Sequence, residues 1–134
     1  MQQTILKTIN DINQWKNNLK VNINFVPTMG NLHKGHLELI NQSNKDGSNE
    51  TLVSIFINPL QFNDKRDLQN YPKTIEKDIK LAFSSGANAI FVPSEKEILN
   101  IKRLIYQTAC KKLSSNLCGK NREGHFDGVC TIVL

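Results

Sequence analysis

The sequence predicts an α/β protein built on a doubly wound parallel sheet, and three observations carry that expectation. Short apolar runs recur at Val21–Val26, Thr51–Ile57 and Asn88–Val92, each of strand length and each closed by proline or by Asn58-Pro59. Between them lie stretches whose apolar residues return at helical spacing. The distances between runs leave room for the crossover connections that parallel strands require. In such sheets ligands gather beyond the carboxyl ends of the strands. Three segments leave those ends: Pro27 to Gly35, Asn58 to Tyr71, and Pro93 onward.

Taken in order, Ile9, Ile12, Trp15 and Leu19 keep helical spacing over residues 8–20, with Thr8 or Asn10 available as cap. Val21 to Val26 alternates Val21, Ile23 and Phe25 with asparagines, as a strand does. A helix is expected from about Gly35 to Ser43, then a polar turn over Asn44–Glu50. Thr51–Ile57 is almost continuously apolar, as in a strand buried on both faces. Asn58–Tyr71 reads as a long polar loop. Lys73–Ser84 reads as an amphipathic helix with Ile75, Ile79, Ala82 and Phe83 on one face and Gly86 past its end. A third strand at Asn88–Val92 precedes a turn with Ser94 and Glu97 at capping-box spacing. Residues 101–118 fit a helix or a strand, Cys118–Gly128 reads as a loop, and Val129–Leu134 is apolar.

Length and composition bound the function. The 134 residues hold one domain, and 39% hydrophobic with 22% charged residues is the balance of a folded globular chain. Seventeen Lys and Arg against 12 Asp and Glu give a net charge of +5, which suits anionic partners. Aromatic residues are only 7% and no basic stripe is evident, so nucleic acid is not the expected partner. Cys110, Cys118 and Cys130 show neither zinc-ligand spacing nor a disulfide framework, and no metal ligands are assigned. The N-terminus lacks a secretory pattern and no apolar run reaches membrane-spanning length, so a cytoplasmic protein without membrane partners is expected.

The most informative stretch is Phe25–Ile40, F-V-P-T-M-G-N-L-H-K-G-H-L-E-L-I. A strand ends, the chain turns through Gly30, and a helix begins with His33 and His36 three residues apart around Gly35. Residues three apart share a helix face, so both imidazoles can reach one phosphate chain. The helix entry adds a positive dipole end and backbone N–H groups that point at an anion. Gly35 leaves room for a backbone or a purine ring to approach. Zinc is disfavoured because H-x-x-H here lacks a nearby third ligand or base.

Pro27-Thr28-Met29-Gly30-Asn31-Leu32-His33-Lys34-Gly35-His36 resembles the signature of the pantothenate synthetase (pantoate–β-alanine ligase) family of H-x-G-H nucleotidyltransferases. The run Ser54 to Phe62 with Asp67-Leu68 and Tyr71-Pro72, and the run Gly119 to Val129, match it too, in the family's order across the chain. The resemblance implies a Rossmann-like domain that binds ATP through Met29, Gly30, Asn31, Leu32, His33, Lys34, Gly35 and His36. His36 is the implied proton donor and His33 a phosphate contact. Gln61 would bind pantoate and β-alanine, with Pro27, Thr28, Asn58, Phe62, Arg122, His125 and Val129 shaping the substrate pocket. It further implies ATP and Mg²⁺ as cosubstrate and cofactor, a homodimer, and a ligase of pantothenate and coenzyme A biosynthesis.

Glu123 stands where the family has proline, and Leu99-Asn100 replaces Tyr-Pro. The family continues past Leu134 through lysine and serine/arginine segments and a C-terminal domain. By that comparison residues 1–134 are a partial N-terminal domain, expected to be a poor or inactive enzyme alone. Two rivals stand beside this reading. One is another H-x-G-H nucleotidyltransferase acting on a phosphate substrate. The other is a non-catalytic truncated nucleotide-binding module.

Overall fold

A computed structural model describes residues 2–99. Expectations for residues 101–134, including Arg122, His125 and Val129, lie outside the described residues. The chain divides into two compact units, Met1–Ile57 with Pro72–Ser94 and Asn58–Tyr71 with Glu95–Leu134.

The first unit holds strands β1 (Thr4–Leu6), β2 (Ile23–Thr28), β3 (Glu50–Ile55) and β4 (Ala89–Phe91), with helices α1 (Ile9–Asn17), α2 (Lys34–Ser43) and α4 (Ile75–Ser84). All pairs are parallel, in the order β1-β4-β3-β2. The steps β2 to β3 and β3 to β4 run one way along the sheet, and β1 to β2 runs the other. Right-handed crossovers therefore place α1 on the face opposite α2 and α4, which makes the sheet doubly wound, as the sequence predicts.

Alternating burial explains the packing. β3 is buried from Thr51 through Ile55, as its continuous apolar run requires, while the edge strand β2 exposes Phe25 and Pro27 and buries Val26 and Thr28. Val26, Leu32, Ile40, Val53, Ile55, Ala82, Ala87 and Ile90 form one core. Ile40, Val53 and Ile90 are fully excluded from solvent, each contributing about 1.5–3 kcal/mol of burial. Asn88 aligns β4 beside β3: its Oδ1 accepts from Thr51 N–H at 2.7 Å, and its own N–H donates to Thr51 O at 2.9 Å.

Three features of this unit differ from expectation. β1 is only three residues long and its pattern is too short to detect from sequence; its pairing with β4 defines it. Pro27 does not end its strand, because β2 is an edge among the described strands and continues to Thr28 opposite Ile55. Ile75 is exposed rather than on the core face of α4, where the buried positions are Asp78 and Ala82. Thr8 and Gly86 behave as expected. Thr8 caps α1 reciprocally with Asp11, and Gly86 takes φ +107 after α4.

In the second unit, Asn58–Tyr71 is not a plain loop. A 3-10 turn spans Pro59–Gln61 and helix α3 spans Lys65–Asn70. Each is started by an asparagine or aspartate cap: Asn58 Oδ1 accepts from Leu60 N–H at 3.1 Å and Asp64 Oδ1 from Arg66 N–H at 2.8 Å. Residues 95–99 are helical.

Candidate functional site

The turn between β2 and α2 gathers Met29 to His36 into one structure. Thr28 is buried at the carboxyl end of β2, where its hydroxyl donates to Ser54 O at 2.8 Å and accepts from Gly30 N–H at 3.2 Å. The chain then passes through two left-handed residues, Gly30 at φ +77 and Asn31 at φ +50. This conformation turns the N–H groups of Asn31 and Leu32 inward, where they donate to Asp78 Oδ2 and Oδ1 at 2.8 and 2.9 Å. Gly30 is required here twice over: a Cβ at this position would have the wrong backbone angle and would lie 2.9 Å from Asp78 Oδ2.

His33 is the N-cap of α2. Its Nδ1 accepts from Gly35 N–H at 3.1 Å, and His36 Nδ1 accepts from His33 N–H at 3.3 Å. The pair is a capping box made of imidazoles, with ring centroids 4.1 Å apart and planes at 45°. Because each Nδ1 is an acceptor, the neutral rings carry their proton on Nε2. Both rings thus keep an N–H donor on the side away from the backbone. His36 is half-buried, and its pKa is lowered by burial and by His33, with Asp78 pulling in the opposite direction. A neutral His36 at pH 7 follows.

The N–H groups of Gly30, Asn31, Leu32, His33 and Gly35 all donate within the protein. Gly35 makes room for the His33 ring: a Cβ there would stand 2.9 Å from His33 Cε1.

The structure brings Met29, Gly30, Asn31, Leu32, His33, Lys34, Gly35 and His36 together with Pro27 and Thr28. Leu32 is a core residue whose side chain faces inward, while Lys34 is exposed. Asn58, Gln61 and Phe62 belong to the second unit. There Asn58 is 1% exposed, and Phe62 meets Tyr71 edge-on at 5.6 Å. Sequence reasoning missed Asp78. The signal available was an acidic residue one helical turn before Ala82 on an otherwise apolar face. Among the described residues no three of His, Cys, Asp and Glu cluster to hold a metal ion, and no helix is long and apolar enough to cross a membrane.

Residues 4–134 match the family model described as Pantoate-beta-alanine ligase. The chain is 56% identical over 135 residues to a bifunctional pantoate ligase/cytidylate kinase of Prochlorococcus marinus (strain MIT 9215), covering 99% of this chain and 26% of that protein. It is 46% identical over 128 residues to the pantothenate synthetase of Leptospira biflexa, covering 96% of this chain and 44% of that protein. A crystal structure of pantoate-beta-alanine ligase from Francisella tularensis, complexed with beta-gamma ATP and beta-alanine, superposes with a TM-score of 0.88 at 38% identity. That alignment covers 98% of this chain and 51% of the other. The chain therefore spans from about a quarter to about half the length of these relatives.

Proposed function

We propose, from the premise that this chain belongs to the pantoate-beta-alanine ligase family, that it forms the nucleotide-binding part of an ATP-dependent ligase joining pantoate to β-alanine. Residues 1–134 then correspond to part of the N-terminal domain. The observation that carries the reading is the imidazole capping box, which leaves two Nε2–H donors side by side at a helix entry.

In the first step the pantoate carboxylate attacks the α-phosphorus of ATP, forming pantoyl adenylate and releasing pyrophosphate. The nucleophile is already an anion, so alignment and charge stabilisation matter more than a general base. His33 and His36 donate Nε2–H to phosphate oxygens. His36, neutral at pH 7, offers a hydrogen bond without the desolvation cost of a buried cation. Mg²⁺ bound to the triphosphate would supply further charge neutralisation. In the second step the β-alanine amine attacks the acyl carbonyl and AMP leaves. Gln61 orients the small acid and the amine, with Asn58 and Phe62, together with Arg122, His125 and Val129, shaping that side. A cytoplasmic homodimer completes the proposal.

Pantoate-dependent exchange of labelled pyrophosphate into ATP by the full-length protein tests the reading. Exchange that requires pantoate and falls about a hundredfold or more in His36→Ala supports it. Exchange independent of pantoate, or unchanged in His36→Ala, overturns it.

A further inference from the structure

We propose that Asp78 is a positioning residue of this nucleotide site: as a buried internal anion it holds the Gly30–Leu32 turn in the shape that presents His33 and His36 to phosphate. The proposal rests on the functional reading above for its ligand, and on geometry alone for its mechanism.

Asp78 is 1% exposed and sits on α4, distant in sequence from the turn it binds. Its carboxylate accepts from Asn31 N–H, Leu32 N–H and the Thr74 hydroxyl at 2.8, 2.9 and 2.9 Å. The only ion pair among the described residues joins Arg66 to Asp64, and no described cation pairs with Asp78. A buried carboxylate without a counter-charge is costly. A neutral side chain would fill this position of α4 with less desolvation. What the carboxylate supplies is two strong acceptors for two consecutive N–H groups, which a single amide oxygen cannot match.

Consecutive N–H groups in left-handed turns form a concavity that holds anions. Here the protein's own anion occupies it. Two consequences follow for a bound triphosphate. The turn is preformed before nucleotide arrives, so its ordering is not charged against binding. The turn's N–H pair is also closed to phosphate, which shifts the anion toward the Nε2–H donors one step along the chain. Gly30 fits this account, since any Cβ would press on the same carboxylate.

Asp78→Asn is close in size but replaces one acceptor with a donor facing a backbone N–H. In the full-length protein it should raise the ATP dissociation constant about tenfold to a hundredfold while β-alanine binding stays near the parent value. The ¹⁵N imidazole spectrum gives a readout that a merely structural role would not move. In folded Asp78→Asn, His33 and His36 should lose the signature of a hydrogen-bonded, unprotonated Nδ1 and gain Nδ1–H tautomer. Thr74→Val, which removes one of three donors and keeps the carboxylate, should move both readouts in the same direction by a smaller amount. It carries the test if Asp78→Asn does not fold. Unchanged tautomers with unchanged ATP affinity in a folded variant overturn the proposal. If the parent binds no ATP, the functional reading fails, and the imidazole spectra alone still decide the role of Asp78.

Discussion

The turn after β2 and the segment after β3 both follow strands and both carry residues of the candidate site, yet the contacts described for them differ in reach. Met29–His33 is secured from a distance, by a carboxylate 46 to 47 residues further along the chain. The contacts described within Asn58–Tyr71 are local: caps that reach two residues ahead and the edge-on contact of Phe62 with Tyr71. A distant anchor makes geometry depend on the whole fold and gives a single rigid shape. Local anchors keep each turn intact and leave its energy to nearby residues. The difference predicts which substitutions spread and which stay confined.

The largest effect should come from Gly30→Ala. It forces a side chain into the left-handed region and against a carboxylate already held by three donors, at a cost of about 3 kcal/mol. Thermal unfolding would show it, and loss of the imidazole hydrogen bonds should accompany it. Asn58→Ala should cost about 2 kcal/mol, because a buried cap leaves Leu60 N–H without its acceptor. Asp64→Ala should cost about 1 kcal/mol, confined to α3, measured as faster amide exchange over residues 65–70 alone. An Asp64→Ala effect that reached α2 would break the comparison.

The smallest effect is a pH dependence from His36, whose folded pKa lies below its ordinary value because of burial first and His33 second. The unfolded chain then binds more protons than the folded one, so this contribution is fully present above pH 6.5 and is lost as pH falls through the folded pKa. His36→Gln should flatten that part of a stability profile recorded between pH 7.5 and pH 5. The sign has a structural reading too, since a proton added at Nδ1 removes the acceptor for His33 N–H.

Much of the fold was legible because its signals are local. The runs Thr51–Ile57 and Asn88–Val92 mark buried strands, and Thr8 announces the start of α1. The site was legible in its residue types, since Gly30, His33, Gly35 and His36 do stand together at a helix entry. What escaped depends on tertiary partners. Pro27 stays in its strand because β2 lies at an edge among the described strands. β1 exists only because β4 arrives beside it. The backbone N–H groups of the turn looked open to a ligand because nothing near them in sequence shows that Asp78 will occupy them. Asn58 and Asp64 did carry a local signal, each being a capping residue ahead of a short helical turn, but the polar composition of Asn58–Tyr71 masked it.

The pairing of β1 with β4, Thr4 beside Ala89, has a consequence for assembly. A ribosome releases the N-terminal strand first and its only sheet neighbour among the described strands near the end of this unit. Closing so long a loop is slow relative to forming α1 or α2. Asp78 emerges shortly before β4, so the glycine turn and the first strand wait for the same late stretch of polypeptide. During synthesis the β2–β3 pair, with Phe25 outward on its edge, should be the earliest part of the sheet to form. It would also be the part most in need of protection from other chains until β4 pairs with β3.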